Sequence, residues 1–269
     1  TTLASLGRTD APSTDGTNSA QARLELLGRS DPIARGETLR AARFIADKVY
    51  FVTFRQIDPF FVYDMSDPAR PLALGELKIP GFSTWLQPVG ATHLIGIGYD
   101  GGGWPRRIKA SLFDVSDPRA PREQAVLALG DSYTSSDALW DPHAFTWLPK
   151  ASGTSAAGGS IGAGTIAIPI RSYASTRYGT VDESGIRVVA VDPGSPAAPL
   201  ALTGTLDMSD LRSLPGTTGN TIAPDYGWRS TDPRRSVIID DTVYGVSDGA
   251  VRAARIDLPG TPTGTVRIP

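Results

Sequence analysis

Two stretches of this chain repeat one pattern: Phe60-Phe61-Val62-Tyr63-Asp64-Met65-Ser66-Asp67-Pro68-Ala69-Arg70-Pro71 and Ala110-Ser111-Leu112-Phe113-Asp114-Val115-Ser116-Asp117-Pro118-Arg119-Ala120-Pro121. Each is an apolar, β-prone run followed by Asp-x-Ser-Asp-Pro, with a second proline three residues later. Two degenerate copies of the pattern follow at 188–196 and 253–260. Such internal repetition predicts that one structural unit is repeated along the chain.

Aligning the copies divides most of the chain into four units, each with four short apolar runs. The runs lie at 39–46, 48–54, 60–64 and 72–79; at 84–89, 93–99, 108–115 and 124–129; at 143–148, 165–171, 186–191 and 201–208; and at 236–239, 242–246, 250–256 and 265–268. Short runs rich in Val, Ile, Phe, Tyr and Thr, bounded by Gly, Pro and Asp, are typical of strands. No segment keeps a helical period over about ten residues.

Four strands per unit predict an all-β fold, a β-propeller with four four-stranded blades in one domain. A β-sandwich with chance repetition is the alternative. The blades are expected at about 37–80, 81–130, 131–208 and 209–269. Residues 1–36 are expected to form a partial blade, with outer strands at 1–6 and 22–28 around a polar loop. We expect a second polypeptide to supply the missing blades of a larger ring of about seven or eight.

Composition excludes several classes of function. The net charge of −2 and the pI of about 5.7 disfavour nucleic-acid binding. No apolar run reaches the length of a membrane span. The chain has no cysteine, which excludes disulfides, thiolate zinc sites and thiol catalysis. The first residues lack a signal-peptide pattern, as a processed chain also would.

The Asp-x-Ser-Asp-Pro element is expected to build the turn after the third strand of a blade. Its Asp and Ser oxygens can accept hydrogen bonds from backbone N–H groups, and the proline fixes φ. Asp64, Asp67, Asp114 and Asp117 are therefore predicted to stabilise the fold rather than to carry chemistry.

Several segments resemble the C-terminal part of the bacterial and archaeal secreted β-propeller domain proteins, a family of largely uncharacterised function. The segments are Ala46-Asp47-Lys48-Val49-Tyr50-Phe51-Val52-Thr53-Phe54-Arg55-Gln56-Ile57-Asp58-Pro59, 75–81, 94–100, 111–118 and 138–145. The similarity is good over 37–148, weaker beyond, and departs at 151–164 and 209–233. It implies an extracytoplasmic (secreted, periplasmic or cell-surface) location and a separate or missing front portion. It implies no catalytic residue.

Connections in a propeller blade emerge alternately on opposite faces, so the longer loops of this chain are expected to share one face. Long loops on a rigid scaffold are where binding sites tend to lie. The candidate binding residues on this face are Arg55, Asp58, Asp100, Trp104, Tyr133, Trp140, Asp141, His143, Tyr226 and Trp228, with Arg229 beside them.

The catalytic candidates are His143, Asp141 and Arg55. His143 could be a general base or metal ligand beside Asp141 or Asp100, or it could simply hydrogen-bond a neighbouring loop. His93, the second histidine, is expected to be structural. No Gly-x-Ser-x-Gly motif supports a serine hydrolase.

Calcium is the one cofactor that the sequence suggests. Asp131, Asp137 and Asp141 lie close together among Ser and Thr oxygens, which are suitable hard ligands. The order of an EF-hand loop is absent.

The leading hypothesis is a non-enzymatic, extracytoplasmic propeller that presents its loop-rich face to a protein or a glycan. The first alternative is a hydrolase or cofactor-dependent oxidoreductase with a central polar pocket at His143, Asp141 and Arg55. The second is a structural half of a larger ring, completed by another polypeptide through strand pairing at an exposed blade edge.

Overall fold

The computed structural model describes residues 2–11, 21–54, 58–101, 107–131, 133–150, 162–173, 181–212 and 232–268. Within these residues the chain is almost entirely β-structure, and the only helices are two 3₁₀ turns, at Asp137–Leu139 and Ser209–Arg212. None of the described helices is long and apolar enough to cross a membrane. The expectation of an all-β fold is confirmed.

The strands of the described residues form an N-terminal hairpin and four larger antiparallel sheets. The hairpin consists of β1 (Ala4–Ala11) and β2 (Gln21–Arg29). The first blade consists of β3 (Thr38–Ile45), β4 (Lys48–Phe54), β5 (Asp58–Asp64) and β6 (Leu72–Ile79). The second blade consists of β7 (Phe82–Val89), β8 (His93–Tyr99), β9 (Ile108–Asp114) and β10 (Arg122–Ala128).

The third blade has one strand more than the others. It consists of β11 (Thr134–Ser135), β12 (Thr146–Pro149), β13 (Gly164–Tyr173), β14 (Val181–Val191) and β15 (Leu200–Asp207). The fourth blade consists of β16 (Arg235–Ile239), β17 (Thr242–Val246), β18 (Ala250–Arg255) and β19 (Pro262–Arg267). The sheets fall within the four predicted units.

Most predicted strands are found where the sequence places them, and β4, β6, β8 and β17 match their predicted runs residue for residue. The largest difference is the entrance to the third blade. Its first strand was expected at 143–148, but β12 begins at Thr146, after a 3₁₀ turn that Ser136 caps. The short β11 before that turn pairs with β13 alongside β12.

The predicted turn chemistry of the Asp-x-Ser-Asp-Pro element is confirmed for its aspartates, whereas the Ser116 hydroxyl donates to Asp114 Oδ1 at 2.6 Å instead of accepting from the backbone. The Ser66 amide donates to Asp64 Oδ1 (2.9 Å), and the Ala69 amide donates to Asp67 Oδ1 (3.0 Å). In the second copy, the Ser116 amide donates to Asp114 Oδ1 at 2.9 Å. These carboxylates satisfy backbone donors that the turn leaves unpaired.

Consecutive blades pack face to face, and the core lies between them. Phe60 of the first blade stacks on Phe113 of the second, with ring centroids 4.8 Å apart. A second cluster joins the second and third blades around Ile97 and Ile168, which are fully buried. A third, around Val188 and Ala254, joins the third and fourth blades.

Each bend after a third strand packs on the outer strand of the preceding unit. At the first junction, Gly28 of the hairpin lies against the Pro68 carbonyl, which also accepts from the Ser5 hydroxyl. At the second, a Cβ on Gly75 would lie 2.5 Å from Pro118 O.

The last two junctions repeat the arrangement. Gln124 Nε2 donates to Pro193 O at 2.8 Å, and a Cβ on Gly204 would lie 2.9 Å from Pro259 Cγ. The Asp-Pro repeat thus marks the contact between blades as well as the turn within a blade.

Candidate functional site

The innermost strands of the first two blades and the entrance to the third blade enclose a cleft of about 300 Å³. It lies near the beginnings of β3 and β7, the end of the blades at which blade-to-blade connections emerge. The cleft is lined by Leu39, Arg40, Thr84, Trp85, Ala138, Leu139, Trp140 and Pro142. We call it the inner-strand cleft.

Two lining residues are placed by β-bulges. In the first blade, Leu39 pairs with Thr53 and Ala41 with Val52, so Arg40 between them has no partner. In the second blade, the same irregularity lies between Ser83 and Trp85, and Thr84 is the residue left over. A bulged residue is released from the strict alternation of a strand, so its side chain can be re-aimed. The two neighbouring blades thus present equivalent positions to one cleft.

Arginines of the first blade lie over aromatic rings of the first and second blades at this cleft. The Arg40 guanidinium lies 5.4 Å from the ring centre of Phe54 and 5.0 Å from that of Phe82. The Arg43 guanidinium lies 5.9 Å from the ring centre of Trp85. Among the described residues, neither arginine is paired with a carboxylate. Arginines held over aromatic rings keep their hydrogen-bond donors available for an anionic group.

The opposite wall is fixed by a buried ion pair. The Asp137 carboxylate accepts from Arg171 Nη2 at 2.7 Å and lies 3.7 Å from Arg234 Nη1. Ser136 Oγ accepts from the Ala138 amide at 3.1 Å and caps the short helix. The helix ends at Trp140, which is 63% exposed and lines the cleft. Asp137 therefore holds the wall rather than presenting a free carboxylate.

The predicted pair of Asp141 and His143 is brought together, but in a surface turn. Asp141 Oδ1 accepts from the His143 amide at 2.9 Å and lies 3.1 Å from His143 Nδ1. The backbone hydrogen bond from His143 is the main cause that lowers the pKa of Asp141 below its usual value. The His143 side chain is 79% exposed. A carboxylate with a lowered pKa is a weak general base near neutral pH.

The remaining described candidates also have local partners. Asp131 Oδ1 accepts from the Tyr133 amide and from the hydroxyls of Thr134 and Ser172, at 2.9, 3.0 and 3.1 Å. Asp100 accepts from Arg107 Nε at 2.8 Å. The Tyr133 side chain is 45% exposed, on the segment that leads into the third blade.

The three aspartates suggested as calcium ligands belong to separate hydrogen-bonded groups. Asp131 caps its own turn, Asp137 is paired with Arg171, and Asp141 caps the turn at His143. Within the described ranges, no three His, Asp or Glu side chains come together to hold a metal. The calcium hypothesis gains no support from these carboxylates.

Several sequence-predicted site residues fall outside the described part of the chain. They are Arg55, Trp104, Tyr226, Trp228 and Arg229. Asp58 begins β5, but its side chain is also outside the description.

The sequence did not identify Arg40, Thr84 and Trp85 as site residues, because they lie within strands and binding residues were expected in loops. The available signal was the Arg-Ala-Ala-Arg series at 40–43, whose spacing of three does not fit strict strand alternation.

Comparison with known proteins gives the following similarities. The family model described as "Beta propeller domain" matches residues 13–258. "Uncharacterized protein MJ1554" of Methanocaldococcus jannaschii is 43% identical over 127 residues, which is 47% of this chain and 20% of that protein. An "Uncharacterized protein" of Archaeoglobus fulgidus is 41% identical over 123 residues, 46% of this chain and 19% of that protein. The chain thus matches about a fifth of the length of these curated relatives.

Proposed function

Since the chain belongs to the β-propeller domain family, we propose that it is a binding module that holds a partner protein at its inner-strand cleft. The partner presents an acidic side chain to Arg40. Propeller blades form a rigid scaffold, and the residues at one end of it can vary without disturbing the sheets.

The observation that carries this proposal is the guanidinium of Arg40, which lies beside the aromatic wall and has no carboxylate partner among the described residues. Its aromatic neighbours lie 5.0 and 5.4 Å from the guanidinium carbon. A carboxylate that enters the cleft can form a two-pronged hydrogen bond with this group. The cleft volume of about 300 Å³ suits one or two side chains of a partner.

Trp140 and Tyr133 support a protein rather than a small metabolite as the ligand. Both are well exposed, at 63% and 45%. Tryptophan, tyrosine and arginine are the residues most enriched among energetic hot spots of protein interfaces. The catalytic alternative has less support, because the exposed His143 is paired with one carboxylate that caps a turn.

We also propose that the module works outside the cytoplasm, as the family resemblance implies. Fractionation of the source cells tests this. Recovery from the medium or the cell envelope is expected, and recovery from the cytoplasmic fraction alone would refute it.

The binding proposal is tested by selecting a displayed library of random peptides on the purified chain, with an array of acidic and neutral glycans in parallel. We expect selected peptides enriched in Asp and Glu that bind Arg40→Gln at least about tenfold more weakly, a loss of roughly 1.4 kcal/mol. Arg70→Gln is the matched control, since the Arg70 side chain is 87% exposed on the bend of the first blade. Glycan binding without peptide binding would contradict a protein partner.

A further inference from the structure

One face of the fourth blade is open although its composition is apolar. Strand register places Val237, Tyr244, Ala253 and Gly264 in one row across the blade. A neighbouring row on the same face contains Val246, Val251 and Val266, with Arg235 at its end beside Val246. We call this surface the far face of the fourth blade. Val266 is 66% exposed, and each residue of β19 is exposed.

The opposite face of the same blade is closed. Val243, Ala250 and Ala254 are fully buried there, and Val243 and Ala254 belong to the cluster that joins the fourth blade to the third. In the second blade, by comparison, every residue of β9 is buried, so both of its faces are covered. Among the described residues, the fourth blade therefore has a neighbouring blade on one face only.

The surroundings of Gly264 indicate where a second neighbouring blade would pack. Gly264 lies beside a β-bulge of β19, at the point where the register with β18 shifts between Ala253 and Ala254. Gly204 lies beside the equivalent bulge of the third blade, where the register shifts between Val188 and Val189. A Cβ on Gly204 would meet Pro259 of the next blade at 2.9 Å, whereas a Cβ on Gly264 would meet none of the described residues within 4 Å. No bend from the described part of the chain lies against Gly264, although a bend lies at the equivalent position of the earlier junctions.

We propose that the far face of the fourth blade is a docking surface for a further propeller blade, whose proline-containing bend sits against Gly264. This continues an interface that recurs between the units of the chain itself. The contact is made by apolar sheet faces, as in the existing junctions, and not by strand pairing along an edge. The apolar side chains beside β19 are half-buried, and contiguous apolar surface that stays accessible commonly marks an interaction site.

A second copy of this chain is a poorer occupant. The bends of all four blades are already packed, at Gly28, Gly75, Gln124 and Gly204 respectively. A second copy would have to release one of them before it could place that bend on Gly264. A blade whose bend is not already packed on a preceding blade has no contact to release.

The test uses the whole chain and a cyclised peptide with the sequence of residues 108–128, which spans β9, the bend and β10. The ends of the peptide are joined by an added disulfide, and its hairpin is verified by NMR before use. During titration into isotope-labelled chain, we expect amide shift changes centred on Val251, Gly264 and Val266. Gly264→Trp should abolish them, because the indole occupies the place of the bend.

Gly260→Trp is the matched control, since a Cβ on Gly260 also meets nothing within 4 Å. This variant should bind the peptide like the unmodified chain. Unchanged thermal unfolding of both variants shows that they are folded. The proposal is overturned if shifts are absent up to about 1 mM peptide, if they centre elsewhere, or if Gly264→Trp leaves them intact. It is equally overturned if the chain alone forms a dimer that Gly264→Trp dissociates, because the occupant is then a second copy.

Discussion

Arg40 and Thr84 are the bulged residues of the innermost strands in two neighbouring blades, and both line the same cleft. Neither has a partner residue in the strand register, although the Thr84 hydroxyl donates to Ile97 O of β8 at 3.2 Å. The backbone pairing of β3 with β4 and of β7 with β8 therefore depends little on which residue occupies the bulge. A propeller can therefore change its ligand at these positions while its sheets stay intact.

Replacing Arg40 with glutamine should separate binding from stability. Binding of a selected acidic peptide should weaken at least about tenfold, because the guanidinium fork is lost. The free energy of unfolding should fall by no more than about 1 kcal/mol, the contribution of an exposed cation–π contact. Fluorescence titration and urea unfolding measure the two quantities. Equal affinity for Arg40→Gln and the unmodified chain would contradict the assigned role.

Replacing Thr84, the bulged residue of the second blade, with glutamate should block the cleft with a carboxylate of the chain itself. Thr84→Glu supplies an internal acid to Arg40, so it should weaken peptide binding about as much as Arg40→Gln does. Thr84→Gln has nearly the same size without the charge and should bind at least several-fold better than Thr84→Glu. The same titration compares them, and identical affinities for the two Thr84 variants would show that charge in the cleft is irrelevant.

Breaking the ion pair under the opposite wall should damage both fold and site. Asp137→Asn leaves Arg171 with a neutral partner in a buried position, at a cost of about 3 kcal/mol in unfolding free energy. Peptide binding should also weaken, because the helix that ends at Trp140 loses its anchor. Asp248→Asn is the control, since its contact with Arg234 is long (3.4 Å) and exposed, and it should cost less than about 1 kcal/mol. Similar unfolding curves for the two variants would contradict this account.

Asp114 should make stability depend on pH in the acid range. Burial opposes its ionisation, but hydrogen bonds from Ser116 and Arg122 outweigh burial and lower its pKa from 3.8 to about 2. Because the folded-state pKa is the lower one, the stabilisation is complete above about pH 4 and is lost as the pH falls through about 2. The difference amounts to about 2 kcal/mol.

Urea unfolding of the unmodified chain and of Asp114→Asn between neutral pH and pH of about 2 tests this. The two curves should converge at the acid end. Asp64→Asn is the matched control in the other copy of the repeat. Its carboxylate also accepts from the following serine but lies 4.0 Å from Lys48, with no arginine hydrogen bond described, so its effect should be smaller. A constant gap between Asp114→Asn and the unmodified chain at every pH would refute the pKa assignment.

Gly75 and Gly264 occupy equivalent positions in the first and fourth blades, but replacement by valine should change the free energy of unfolding differently at the two positions. Valine at 75 would force a Cβ to within 2.5 Å of Pro118 O, a backbone atom that cannot easily move, and should cost roughly 1–3 kcal/mol. Valine at 264 enters open space and should change the unfolding free energy by less than about 0.5 kcal/mol. Thermal or urea unfolding distinguishes them. A large loss at 264 would mean that its surroundings are already filled.

Much of the architecture could be predicted from the sequence, because strands and turns are specified locally. Short apolar runs bounded by turn residues located β4 and β8 to the residue, and the Asp-x-Ser-Asp-Pro order predicted the hydrogen bonds at Asp64 and Asp114. The N-terminal strands were predicted at 1–6 and 22–28, and the hairpin extends further, into the polar residues at 8–11 and 21.

The site was less predictable, because it depends on register and on distant pairs. A bulge at Arg40 or Thr84 is a property of two strands together and leaves little trace in either one. Asp137 looked like a free carboxylate in a polar loop, yet its partner Arg171 lies on β13, on the far side of the 151–164 segment. Of the predicted cluster, Trp140 lines the cleft, whereas Asp141 and His143 form a neighbouring surface turn.

The central claim is that Arg40 receives an acidic side chain of a partner inside the inner-strand cleft. The most direct measurement is a crystal structure of the chain with a selected acidic peptide. We predict a peptide carboxylate within hydrogen-bond distance of the Arg40 guanidinium, between Thr84 and Trp140. A peptide bound at the Asp-x-Ser-Asp-Pro bends, with the cleft empty, would contradict the claim.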